Sequence, residues 1–205
     1  LQAVPAIVAS FVLAIPIARL ARVARPLRAV LVTGSSLLYA VPSLALFVIL
    51  PIILATGIRD PLNVIVALTL YGLALLVPAT ADALDAVDAR VLDAATAMGM
   101  GRLRCFLTVE LPLAGPAILT GLRVVTVSTI SLTTVGAVLG VRSLGWLFTD
   151  GFQRGITAEI VTGLVATAAL ALVLDGLVLA LGRLCLPWTW KRAGATTSKS
   201  QEGQA

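Results

Sequence analysis

The chain has 205 residues, 59% of them hydrophobic and 12% charged, and a mean hydropathy of +1.05. A soluble domain carries about 25% charged residues, so water is excluded as the main solvent. A net charge of +5 and a pI near 10.0 would suit nucleic acid, but the basic residues sit at the ends of apolar segments and form no single patch, so no nucleic-acid partner is expected.

Apolar runs recur at about 20 residues, the length an α-helix needs to cross the hydrocarbon core. The fold class is therefore all-α, a polytopic membrane protein with about five transmembrane helices within residues 1–187. The first span, 3–19, leads into a basic loop with Arg19, Arg22, Arg25 and Arg28. The second, 29–57, is long for one crossing and contains Pro42 and Pro51, so it is kinked or broken. Gly57, Arg59, Asp60 and Pro61 make a turn before the third span, 62–81, which has Pro78 near its end. A polar loop, 82–112, precedes the fourth span, 113–139; a Gly-rich outer loop, 140–155, precedes the fifth, 156–186. The polar remainder, 188–205, reads as a disordered cytoplasmic tail. No basic stretch precedes the first apolar run, so no cleavable signal is read there, and the native start is expected upstream of Leu1. There is no histidine, and Cys105 and Cys185 fall near expected cytoplasmic ends, so neither a disulfide nor a metal site is expected.

Orientation follows from Lys and Arg placement. Arg19, Arg22, Arg25, Arg28, Arg90, Arg102, Arg104, Arg183, Lys191, Arg192 and Lys199 fall on one side, against Arg59, Arg142 and Arg154 on the other. Five crossings with the N-terminus outside and the C-terminus in the cytoplasm satisfy this bias and make 82–112 cytoplasmic.

That loop is patterned like two short helices. Asp82, Asp85 and Asp88, and then Asp93, follow near-helical spacing with Ala, Val and Leu between them. Asp93 suits the first turn of a helix. Ala94 and Ala95 make a face without bulk, Gly99 suits a left-handed helix end, Arg102 and Arg104 are exposed cations, and Pro112 marks a change of direction into the fourth span. The expected form is a small, stiff knob that fits a groove in a cytoplasmic partner.

Residues 93–112, "DAATAMGMGRLRCFLTVELP", resemble the loop of permease subunits in ATP-binding-cassette (ABC) importers that reads Glu-Ala-Ala, three residues, Gly, nine residues, Ile, any residue, Leu-Pro. The match falls on Asp93, Ala94, Ala95, Gly99, Val109, Leu111 and Pro112, with Asp for Glu and Val for Ile. "VPSLALF" at 41–47, "GMGRLRCFLTVELPLAGPAILTGLR" at 99–123 and "LGVRSLGWLFTDG" at 139–151 resemble the subgroup importing glycine betaine, carnitine, choline or proline betaine. The last departs from that subgroup's Gly-Ala-Gly-Gly-Leu-Gly at residues 140–145. The resemblance implies a type I importer with a methionine-permease-like fold, working by alternating access. It implies a coupling loop docked on an ABC ATPase through Asp93, Ala94, Ala95, Met98, Gly99, Arg102, Leu111 and Pro112. It also implies a second permease, identical or paralogous, and an extracytoplasmic binding protein, in a prokaryotic inner membrane. No G-x-x-x-x-G-K-[ST] loop occurs, so ATP and Mg are expected on the partner and neither cofactor, catalytic residue nor metal on this chain.

Candidates for a translocation path or gate are Ser43, Arg123, Thr126, Asp175, Trp146 and Phe152. An arginine near a helix centre costs about 2.5–3.5 kcal/mol, so Arg123 should not face lipid. Counted from the cytoplasmic ends, Arg123 and Asp175 lie at similar depths, about 15 Å and 12 Å. They pair, share a water-filled cavity, or are solvated separately near a vestibule. Trp146, Phe148 and Phe152 are cation–π contacts for a quaternary ammonium group or interfacial anchors; Ser43 and Thr126 line a path or serve helix packing. The alternatives are a same-fold importer of another small solute such as an amino acid, and an intramembrane lipid phosphotransferase using Asp82, Asp85, Asp88 and Asp93. The latter's D-G-x-x-A-R signature is absent at both Asp-Gly pairs, Asp150-Gly151 and Asp175-Gly176.

Overall fold

Lipid tails are as apolar as leucine, so helices in a membrane associate where small side chains let their backbones approach. The computed structural model describes residues 2–187, apart from the side chains of residues 25–27. All its elements are helical: α1 (Ala3–Val23), α2 (Arg25–Ala40), α3 (Ser43–Leu54), α4 (Pro61–Asp85), α5 (Ala89–Ala97), α6 (Arg102–Cys105), α7 (Leu111–Val135), α8 (Trp146–Arg154) and α9 (Thr157–Cys185). A π-helical stretch, Phe106–Glu110, joins α6 to α7, and a 3-10 turn, Gly136–Leu139, ends α7. Four helical rods are long and apolar enough to cross a membrane: α1, α4, the rod Arg102–Leu139, and α9; α2 and α3 together make a fifth if they count as one crossing.

α4 is the axis, packed against α1, α2, α3 and α7. At mid-length it meets α1 where Gly72 faces Ser10; a Cβ on Gly72 would stand 2.6 Å from the Ser10 Cβ, so only glycine allows this approach. The core follows α4 in three layers. Phe47, Leu50, Val64 and Leu68 pack at one end, Ala14, Leu76, Val77 and Val125 in the middle, and Ala18, Leu84, Phe106 and Ile118 at the end carrying α5. The start of α4 is fixed by Asp60, whose side chain accepts from the Leu62 N–H at 2.9 Å. The buried Asn63 amide then donates to Gly57 O at 2.8 Å.

The span 29–57 is broken where its prolines suggest, into two helices bent by 107°, while three other features differ from the sequence expectation. Val41 adopts the extended conformation forced on a residue before proline, and Tyr71 of α4 fastens the bend by donating to Val41 O at 2.5 Å. The third helix runs on to Asp85, past residue 81. The fourth begins earlier than 113, because Leu111 and Pro112 cause no turn. Leu111 N–H donates to Phe106 O, five residues back, and this wider turn makes room for the Pro112 ring, which a regular α-helix would press against the carbonyl four residues back. Finally, the expected loop 140–155 contains α8; Gly145 stands before its first turn and Gly155 after its last, and Gly151 lies buried within it. The expected tail, 188–205, lies outside the described residues.

Candidate functional site

α5 projects at the end of the bundle where α1, α4 and α9 finish and α7 begins. Its first turn is capped by Asp88, whose Oδ1 accepts from the Arg90 N–H at 2.9 Å. Its last turn closes through Gly99 at φ +81°. Gly99 N–H donates to Thr96 O at 2.9 Å and Met100 N–H to Ala95 O at 3.2 Å, the paired bonds of a Schellman end. Asp93 therefore sits in the middle of α5 instead of its first turn; the N-terminal carboxylate is Asp88, five residues earlier.

The tandem alanines do not share a free face. Ala95 is buried, with 2% of its surface exposed, on the side of α5 that meets α6 and the π stretch. Ala94 is exposed. At 100° per residue, Val91, Ala94 and Met98 fall within a sector of about 60°, and Met98 is 71% exposed. That stripe is an exposed apolar surface of the knob with the small Ala94 between Val91 and Met98, and the buried Ala95 has the other duty, seating the knob against the chain. Beside it Arg102 and Arg104, both exposed, line with Leu103 and Leu107 a shallow cleft of about 590 Å³. Leu111 and Pro112 are not on this surface; they belong to the rod that leads away from it.

The aspartates of the enzymatic alternative do not converge. Asp85 pairs with Arg22 and Arg28, Asp88 caps α5, and Asp82 and Asp93 are exposed. Among the described residues no three His, Cys, Asp or Glu side chains are grouped as a metal ion would need.

Of the path candidates, Arg123 and Asp175 meet. The Arg123 Nε donates to Asp175 Oδ1 at 2.8 Å and its Nη2 to Oδ2 at 2.6 Å, a two-pronged bond that joins α7 to α9 inside the membrane-crossing region. Equal depth had left pairing and separate solvation both open; the pair forms because α9 lies along α7 in this register. The other candidates stand apart from it. Thr126 is buried, 1% exposed, and its hydroxyl donates to Leu122 O of its own helix at 2.8 Å. Ser43 is half-buried in the first turn of α3. Trp146 lines a cleft with Arg59, Thr149 and Asp150. Phe152 is 82% exposed and does not line that cleft.

Sequence reasoning missed a second set of charges. The positive-inside bias makes Arg19 and Arg22 topology anchors together with Arg25 and Arg28, but Arg22 bonds Leu84 O and Glu110. The i, i+3 spacing of Arg19 and Arg22 was the available signal, since it puts both on one face of α1.

The family of binding-protein-dependent transport system inner membrane components matches residues 6–190. Over 151 residues the chain is 33% identical to the ergothioneine transport permease/ergothioneine binding protein of Helicobacter pylori (strain G27), covering 74% of this chain and 27% of that protein. It is 32% identical over 162 residues to the choline transport system permease protein of Bacillus subtilis (strain 168), covering 78% and 70%. It is 34% identical over 148 residues to an osmoprotectant import permease protein of Salmonella typhimurium, covering 72% and 61%. The chain thus spans about a quarter of the first relative and less than the whole of the others. In fold it is similar to the inward-facing MetNI methionine ABC transporter, with a TM-score of 0.69 and 22% identity over 90% of this chain and 89% of that one.

Proposed function

This chain belongs to the binding-protein-dependent transport system inner membrane components, and from that premise we propose that it is the permease subunit of an ATP-driven importer for small quaternary ammonium solutes. The observation that carries the proposal is that the family match runs through α5 and every long helix, with a capped, exposed knob at the position of the family's coupling loop. Relatives are named for choline, for glycine betaine, carnitine and choline, and for glycine betaine and proline betaine. Their shared chemistry is a quaternary nitrogen, which ergothioneine also carries. A same-fold amino-acid importer has only the fold likeness behind it.

In this reading the chain crosses a prokaryotic inner membrane with the α5 end and the C-terminal tail in the cytoplasm and the N-terminus outside. The ABC ATPase, holding ATP and Mg, docks on Val91, Ala94 and Met98 with Arg102 beside them. A second permease completes the path, since the flank of α9 stands bare. The extracytoplasmic binding protein meets the α8 end, where Trp146 and Phe152 are exposed. Closure of the ATPase pair displaces α5, the rod Arg102–Leu139 moves with it, and the bundle alternates between outward and inward access. Arg123 and Asp175 hold α9 to that rod as it moves.

The test is reconstitution of the permease with its ATPase, partner permease and binding protein. Glycine betaine or choline on the binding protein should stimulate ATP hydrolysis and uptake, and Ala94→Arg should release the ATPase from the purified complex. An Ala94→Arg complex that keeps its ATPase and transports normally would sink the docking assignment. Stimulation by amino acids alone would overturn the solute class.

A further inference from the structure

At the α5 end, α1 and the start of α2 reach across to both roots of the coupling segment. Arg22 Nη1 donates to Leu84 O at 2.9 Å, its Nε lies 3.6 Å from Asp85 Oδ1, and Nη1 also meets the Glu110 carboxylate. Arg28 pairs with Asp85 from the other side, and the Arg19 guanidinium lies 4.2 Å over the ring of Phe106. Leu84 and Asp85 are the last residues of α4, three short of the α5 cap; Phe106 and Glu110 begin and end the π stretch that follows α6. One guanidinium on α1 thus holds the chain just before the knob and just after it.

Topology does not require this arrangement. Anchoring by the positive-inside bias asks only that arginines lie at this end, with their charges in water or among headgroups. The Arg22 side chain is instead only 29% exposed and that of Glu110 only 13%, so both are largely withdrawn from solvent and satisfied by each other. The mechanics also need such a tie. A displaced knob pulls directly on α4 and on the rod Arg102–Leu139 through the peptide chain, but α1 is linked to α4 only by way of α2 and α3. Elsewhere α1 meets α4 along an apolar, small-residue seam, with Ser10 against Gly72 and Ala14 and Ala18 packed with Leu76, Val77 and Leu84, while the Ser10 hydroxyl bonds its own helix.

We propose that Arg22 is a positioning residue for coupling. It ties both roots of the knob to α1, so that α1 travels with α4 and α7 when the ATPase moves α5. It acts through Glu110 and Asp85 and touches neither the ATPase nor the solute. This rests on the coupling role of α5 and adds the element that would otherwise be left behind.

The experiment uses the whole transporter in vesicles, with glycine betaine uptake and ATP hydrolysis measured side by side. Arg22→Gln should leave hydrolysis within about two-fold of the wild type while solute moved per ATP falls about ten-fold, inside the usual span of coupling factors. Glu110→Gln should shift the same ratio in the same direction by less, and Arg22→Lys, which keeps a cation beside Glu110, should recover most of it. An unchanged ratio in an assembled Arg22→Gln or Glu110→Gln transporter overturns the proposal, as does a lowered ratio that Arg22→Lys does not recover. If neither neutral variant assembles, Arg22 is a folding contact and the proposal is equally wrong. Failure of the underlying reading looks different: Ala94→Arg then leaves the ATPase bound, whatever the Arg22 variants do.

Discussion

As sequences α4 and α9 are nearly interchangeable, 25 and 29 residues of apolar helix. In space they are opposites: over the most apolar stretch of each, 56% of α4 is buried and none of α9. α4 carries Ala67, Gly72, Ala74, Ala81 and Ala83 toward its neighbours, whereas the buried positions of α9 are Gly163 and Gly182, a narrow line against α8 and α7. The contrast teaches that hydropathy reports the solvent a helix prefers, while the placing of small residues reports whether another backbone lies against it. The leucines and valines left bare on α9 face lipid or the rest of the assembly.

That contrast can be broken or sharpened by substitution. The largest effect is expected from Gly72→Leu. With the Ser10 Cβ already 2.6 Å from any added carbon, overpacking should cost about 3 kcal/mol and most of the folded yield in detergent. Next is Arg123→Ala, which strands Asp175 on α9. The pair is 41% and 18% exposed, so the loss should be smaller than that of Gly72→Leu, between what a surface pair and a buried one would give. Unfolding in graded denaturant measures both. Asp88→Ala removes the cap of α5 and should cost about 1 kcal/mol locally, seen as faster hydrogen exchange over 89–97 without a change in global stability. The smallest effect is expected at Gly176, where an added Cβ would meet nothing within 4 Å. Gly176→Leu should change the stability of the chain by no more than about 0.5 kcal/mol, and a loss as large as that of Gly72→Leu would erase the distinction between the two helices.

Much of the fold was legible because lipid imposes lengths: α1, α4 and α9 could be read from runs of apolar residues and their charged ends. Breaks and continuations were less legible. Pro42 and Pro112 are the same residue type, yet one ends α2 and the other lies inside a continuous rod. The difference is the five-residue turn at 106–110, which no side-chain pattern announces. The knob was legible in position and in Gly99, but the separate duties of Ala94 and Ala95 depend on which side of α5 meets the π stretch. Arg123 and Asp175 could be brought to one depth by counting residues, whereas Arg22 and Glu110 are 88 positions apart and meet because α1 packs against both α4 and α7.

The widened turn at 106–110 also sets the knob's bearing on the rod. It holds one residue more than regular winding would need, and each residue of an α-helix accounts for about 100° of rotation and 1.5 Å of rise. Wound as ordinary α-helix, that extra residue would carry the stripe of Val91, Ala94 and Met98 more than a quarter of the way further around the rod axis. The exposed stripe of the knob is thus aimed by the turn that absorbs a surplus of one amino acid in the linkage behind it.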